Sequence, residues 1–408
     1  MQKTTIKRDN ESHFRGDKPK VKAATIFLVA VTTLLHTVSA PADQRRQSET
    51  DELNNKKAAL GQRLFFDVNL SKNRTQSCAT CHDPARGFSD HRGTGAASAV
   101  SLGDDGKSLG DRNAPTASYA AFSPLFHKNG DDEFVGGQFL DGRASSLADQ
   151  AGGPPLNPVE MGMPDKAGVI ARIQADVNYQ TAFKNLYGDT VFERTEDAYA
   201  AMTDAIATFE KTDFFSPFTS KYDRYLRGEY QFTEQEELGR TLFFSQQFTN
   251  CNLCHQLRAL PGQKKETFSN YEYHNIGVPV NTELRAINGV TGIDQGLLNN
   301  PAVTDPAQRG KYKTPTLRNV AVTGPYMHNG VFRDLRTVVL FYNKYNSRSA
   351  KRQINPETGN RWREPEVPDT LSMEELETGP ALDNKRIDAL VAFLKTLTDK
   401  RYEQEEER

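Results

Sequence analysis

Apolar residues recur at helical spacing in several stretches of the chain. In RIDALVAFLKTL, Ile387, Leu390, Val391, Leu394 and Leu397 fall on i, i+3 and i+4 positions, the stripe of a helix buried along one face. Tyr199, Met202, Ile206 and Phe209 repeat the rhythm. Thr233 and Glu236 spell a capping box ahead of ELGRTLFF, which predicts that a helix starts there. No stretch alternates apolar and polar residues as a half-buried strand would. The helical stretches are separated by segments rich in Gly, Pro, Asp and Asn, at about 89–137, 256–312 and 344–383. Loops of that length carry function or wrap a cofactor, because irregular backbone must still find hydrogen-bond partners. The pattern predicts a mainly α protein with long loops.

Two of the helical stretches lead into the same chemistry. LGQRLFFDVNLSKNRTQSCATCH (60–82) is echoed by LGRTLFFSQQFTNCNLCH (238–255). In a Cys-x-x-Cys-His motif the two thiols can add to the vinyl groups of a haem, and the following His can ligate its iron. Cys78, Cys81 and His82 would hold one haem, and Cys251, Cys254 and His255 a second. A zinc site and a redox dithiol are the alternatives. A four-Cys zinc site needs no His directly after each pair, and the two motifs use all 4 cysteines, so none is left over for a disulfide. Two c-type haem domains are therefore expected, 41–220 and 221–408, divided between Asp213 and Gln231. The charged tail DKRYEQEEER after Thr398 is expected to fray.

Composition and charge narrow the setting. Lys3, Lys7, Arg8, Arg15, Lys18, Lys20 and Lys22 precede the apolar run ATIFLVAVTTLL, and Val38-Ser39-Ala40 resembles a small-residue cleavage site. Residues 1–40 thus read as a signal peptide, with an uncleaved anchor as the alternative, and the mature protein is expected to be soluble and periplasmic. The 408 residues are 37% hydrophobic with a formal charge of -2, enough for two cores. No basic block outside the leader suggests nucleic acid. Two covalent haems suit either an electron carrier with both irons closed or an enzyme with one iron open to a small oxidant.

FLDGRASSLADQAGGPPLNPVEMGM (139–163), RNAPT (112–116) and TPTLRNVAVTGPYMHNG (314–330), together with the two haem motifs, resemble the bacterial di-haem cytochrome c peroxidases and their MauG relatives. The likeness runs over roughly residues 55–398. It implies two cytochrome c-like domains packed face to face, an N-terminal haem that meets hydrogen peroxide and a C-terminal haem that handles electrons. By motif, Glu160 resembles the family's distal acid–base residue and Gln150 its distal amide. Many members ligate the second iron with a Met fourteen residues beyond the His of the PYxH(D/N)G motif. That count from His328 reaches Tyr342, as in MauG, where a phenolate favours oxidised iron. Met327 is a weaker competitor. Asn113, Thr323 and Pro325 match positions that bind one calcium ion in the family. His274 and His328 are taken as structural.

Two departures from the family stand out. Members that need reductive activation carry a blocking His ahead of RNxPT, whereas SLGDDGKSLGD (101–111) has none, and His91 and His127 are out of register. The family's inter-haem Trp in FWDGR is Leu140 here, and the only Trp, Trp362, lies in a polar loop. The resemblance implies a periplasmic di-haem oxidoreductase that reduces peroxide with electrons from a small cytochrome c or a cupredoxin. The alternatives are a MauG-like maturase that oxidises side chains of a partner protein, and a two-haem electron carrier. The family is often dimeric, so a homodimer is a further expectation.

Overall fold

The computed structural model describes residues 42–93, 98–256, 266–377 and 379–406. The expected signal segment, 1–40, lies outside the described residues. The chain divides into two compact units, Met1–Gln47 and Ser48–Arg408, and everything below concerns the second. Among the described residues no helix is long and apolar enough to cross a membrane.

The architecture is mainly helical. Strand pairing among the described residues amounts to two antiparallel ribbons of two-residue strands, His127–Lys128 with Phe134–Val135 and Tyr273–His274 with Tyr312–Lys313, plus isolated bridges. The capping box forms as the sequence predicts. The Thr233 hydroxyl accepts from the Glu236 amide at 3.2 Å and Glu236 accepts from the Thr233 amide at 2.8 Å, opening the helix Glu234–Phe244. The other two predicted stripes lie on the helices Thr195–Glu210 and Asn384–Lys395, with Tyr199, Met202, Ile206 and Phe209 buried on one, and Ile387, Leu390 and Leu394 on the other.

The echo in sequence is an echo in packing. In the first half the helix Ala42–Phe65 crosses Thr195–Glu210 at Gly61, where an added Cβ would sit 1.9 Å from the Ala205 carbonyl oxygen. In the second half Glu234–Phe244 crosses Asn384–Lys395 at Gly239, again 1.9 Å from a carbonyl, that of Ala389. Only a residue without a Cβ allows two backbones this close, which explains the LG shared by both blocks. Around these crossings lie the two largest clusters of buried apolar side chains. One includes Leu64, Phe65, Phe209 and Phe215, and the other Leu242, Phe243, Phe393 and Leu397.

The tail departs from expectation. Asp399 and Tyr402 are buried, a helical turn covers Lys400–Tyr402 and a short helix covers Glu403–Glu406. The Asp399 carboxylate accepts from the Tyr119 hydroxyl at 2.9 Å, the Thr219 amide at 3.0 Å and the Asn319 side chain at 3.0 Å. Charge density alone predicts a solvated tail, but a buried carboxylate with three donors is well satisfied.

Candidate functional site

Each Cys-x-x-Cys pair sits on a single helical turn, Cys78–Cys81 and Cys251–Cys254, so both thiols of a pair project from one side. All four thiols are free. The His that follows is fixed in the same way in both motifs. His82 Nδ1 donates to the Phe88 carbonyl at 3.2 Å and His255 Nδ1 to the Phe268 carbonyl at 2.9 Å. Phe88 and Phe268 both have φ of 56°, in the left-handed region that bulky side chains avoid, and that turn presents each carbonyl to its imidazole. With Nδ1 engaged, Nε2 is left as the ligating atom. Burial lowers both imidazoles, His255 to about 4, so each is neutral and able to bind a metal.

Around the second motif is a cavity of about 360 Å³ lined by Cys251, Cys254 and His255. Leu335, Val338, Val339 and Tyr342 line it from one face of the helix Leu335–Asn346, and Leu390 and Leu394 from Asn384–Lys395. Two thiols, an oriented imidazole and aliphatic walls are a donor set and an enclosure suited to a covalently held haem. Tyr342 and Met327 both line this space. Burial, reinforced by the Cys254 and Cys251 thiols, holds the Tyr342 phenol well above its ordinary range. His274 and His328 line it too, and His328 Nε2 is buried without a partner. The His328 ring stacks on Tyr312 at 3.8 Å.

At the first motif the thiols feel Glu160. It helps to raise Cys81 to about 11 and Cys78 to about 12, both effects dominated by burial. Burial raises the Glu160 carboxyl itself, opposed by Arg143 and by a hydrogen bond with Asn157. The loop that carries Glu160 closes on itself, with the Glu160 amide donating to the Asn157 carbonyl at 3.0 Å and Met161 to Pro154 at 3.2 Å. That loop follows Gln150, which lies on the short helix Leu147–Ala151. Segment 101–111 is tied to it, since the Asp104 amide donates to the Glu160 carbonyl at 2.7 Å. Asp104 is held in turn by Thr75 Oγ1 at 2.6 Å and the Asn73 amide at 2.6 Å. His91 and His127 are both exposed.

The halves interlock between these sites. Arg112 grips Asp294 through Nε and Nη2, both at 2.6 Å, and reaches Asp141 through Nη1 at 2.7 Å. Asp141 also accepts from Arg143 at 2.9 Å, and the Arg143 guanidinium lies 3.6 Å from the centre of the Phe139 ring. Leu140 lines the cavity and its carbonyl accepts from the Lys313 amide at 2.9 Å. Trp362 packs on Phe332 and Phe341 and donates to the Arg352 carbonyl at 2.8 Å. Asn113, Thr323 and Pro325 line the same cavity. The Asn113 side-chain amide nitrogen donates to the Ala99 carbonyl at 3.0 Å.

Comparison with known proteins agrees with this geometry. Residues 55–231 match the family model for di-haem cytochrome c peroxidase. The chain is 54% identical to the methylamine utilization protein MauG of Paracoccus denitrificans over 377 residues, 92% of this chain and 95% of that one. It belongs to the di-haem cytochrome c peroxidase and MauG family. It is 36% identical to the cytochrome c peroxidase Ccp of Escherichia coli over 275 residues, 67% of this chain and 50% of that protein. Among solved structures, the di-haem peroxidase BthA of Burkholderia thailandensis superposes with a TM-score of 0.73 at 33% identity, covering 85% of this chain and 86% of that one. As a member of the di-haem peroxidase and MauG family, the protein is an oxidoreductase that carries two c-type haems.

Sequence reasoning missed several residues of the site. The carbonyls of Phe88 and Phe268 have no residue-type signature. Asp141 and Arg143 stand in the quoted FLDGR, but their links to Arg112 and Glu160 are long-range. Glu210, buried near Cys78, would emerge from laying AIATFEKT (205–212) on ALVAFLKT (389–396).

Proposed function

We propose that the protein reacts with hydrogen peroxide at a haem held by Cys78, Cys81 and His82, and exchanges electrons with its partners through a haem held by Cys251, Cys254 and His255. The observation that carries this reading is the inequality of the two sites: a half-buried carboxyl, Glu160, acts on the first pair of thiols, while Tyr342 lines the second cavity. A c-type haem supplies an iron able to bind peroxide and accept its oxidising equivalents.

Glu160 takes the proton from the incoming peroxide and returns it to the departing oxygen, a role that suits a carboxyl raised toward neutrality by burial. Gln150 orients the substrate, and Arg143 opposes the upward push that burial gives the Glu160 carboxyl. Tyr342 ligates the second iron, with Met327 as competitor. Exchanging its phenol proton, released to solvent, for a metal ion would overcome the burial that otherwise keeps it neutral. Asn113 Oδ1, Thr323 and Pro325 supply neutral oxygens for one calcium ion. The division into haem domains at 41–220 and 221–408, the export of the chain to the periplasm and its pairing as a homodimer belong to the same reading.

The reductant is a small cytochrome c or a cupredoxin. A second reading, MauG-like oxidation of a partner protein, is favoured by Tyr342 and by a 101–111 segment that is pinned beside Glu160 and carries no histidine to close the first iron. Stoichiometric peroxide added to the fully ferric protein, followed by absorption and Mössbauer spectra, tests both. An immediate spectral change on the ferric protein favours the MauG-like reading, and a change only after one-electron reduction favours the peroxidase. No response in either state leaves electron carriage. Glu160→Gln is expected to keep both haems and slow the peroxide reaction by about a hundredfold or more.

A further inference from the structure

The duplicated halves differ in the polarity of one buried position near the first haem motif. AIATFEKT (205–212) and ALVAFLKT (389–396) align without a gap, and their alanines occupy the same place, Ala205 meeting Gly61 and Ala389 meeting Gly239 with the same 1.9 Å approach. In this register Phe209 matches Phe393, and Glu210 matches Leu394. Leu394 lines the cavity that holds Cys251, Cys254 and His255. Glu210 is only 6% exposed, its Oε2 has no hydrogen-bond partner, and it lies near enough to Cys78 to raise that thiol.

A carboxylate buried without a partner is unfavourable and is normally replaced by a hydrophobe or a protonated acid. Burial pushes Glu210 up to about 8, opposed only by the adjacent Lys211, just past the helix end. The charges on neighbouring elements are engaged elsewhere. Lys57 is paired with Asp204, Lys166 with Glu196 and Asp149 with Ser146, while Arg172 binds the carbonyls of Asn69 and Lys72. The rings packed around this end of the helix, Phe65, Phe209 and Phe215, are apolar.

We propose that Glu210 is the redox-linked proton site of the first haem, giving up one proton to solvent when that iron loses one electron to an acceptor and taking one back when the electron returns. The charge of the buried site is then the same before and after. The proposal rests on haem attachment at the first motif and not on the peroxide reading.

The test is a spectroelectrochemical titration of the holoprotein from mildly acidic to mildly basic pH, for the wild type, Glu210→Gln and Glu210→Leu, the last copying Leu394. Oxidised iron favours the carboxylate, so the potential of the first haem falls as pH rises. The limiting slope is about 59 mV per tenfold change in proton concentration for a one-electron couple. Both substitutions are expected to flatten that slope and leave the first haem at the wild type's low-pH potential, while the second haem stays flat in all three proteins. A slope that survives Glu210→Gln, or a wild type with no slope at the first haem, overturns the proposal. Glu210→Gln keeps the side-chain shape and decides the matter if the Leu variant loses haem.

Discussion

Glu160 and Arg143 show how one pair of side chains sets a pH dependence. Burial raises the Glu160 carboxyl and Arg143 pulls it back, so with Glu160 as the proposed base, the fraction able to accept the peroxide proton grows as pH rises through its pKa. Arg143→Gln removes the charge that lowers it, and the rising limb of the pH–rate profile for peroxide consumption is expected to move to higher pH. An unmoved limb would mean that Arg143 does not act on the base. Tyr342→Phe is expected to abolish a His/Tyr low-spin signature in the absorption and EPR spectra while leaving the first haem unchanged. An unaltered spectrum would transfer the ligand role to Met327, which lines the same cavity. At this scale the two Cys-x-x-Cys-His groups were legible because a short local motif carries each. The Phe88 and Phe268 carbonyls were not, since any residue can present a carbonyl, and here the backbone conformation aims it.

Among elements, the crossing of helices at Gly61 and Gly239 is the joint on which each haem motif is hung. Gly239→Ala would drive a methyl group into the Ala389 carbonyl, with Phe393 Cβ 2.7 Å away, so the helices Glu234–Phe244 and Asn384–Lys395 must separate. Overpacking of this kind costs about 3 kcal/mol, read as a lower denaturation midpoint and poorer retention of the second haem. An equally stable variant would show that the helices slide without penalty. The predicted stripes and the capping box were legible because each depends on residues within one or two turns. The two ribbons were not, since strands of two residues are too short to show an alternating pattern.

Across the whole molecule, the halves are joined by polar groups that the sequence gives no means of pairing. Arg112 bridges Asp141 in the first half and Asp294, 182 residues beyond Arg112, in the second. Asp399 belongs to the same class, and its position in a run of charges is what misled the reading of the tail as frayed. Asp399→Ala strands the Tyr119 hydroxyl, the Thr219 amide and the Asn319 side chain without their acceptor. At about 1 kcal/mol or more for each unmet buried donor, a loss of about 3 kcal/mol is expected in chemical denaturation. Asp399→Asn, which keeps an acceptor oxygen, should recover part of it. A midpoint unchanged in the Ala variant would mean that water replaces the carboxylate.

Asp399 is also later in the chain than all three partners it clasps, Tyr119 and Thr219 in the first half and Asn319 in the second. Synthesis runs from the N-terminus, so each haem motif leaves the ribosome before the residue that fastens the halves together exists. The latch is therefore made after both motifs, and an unlatched chain is the form in which both pairs of cysteines first appear.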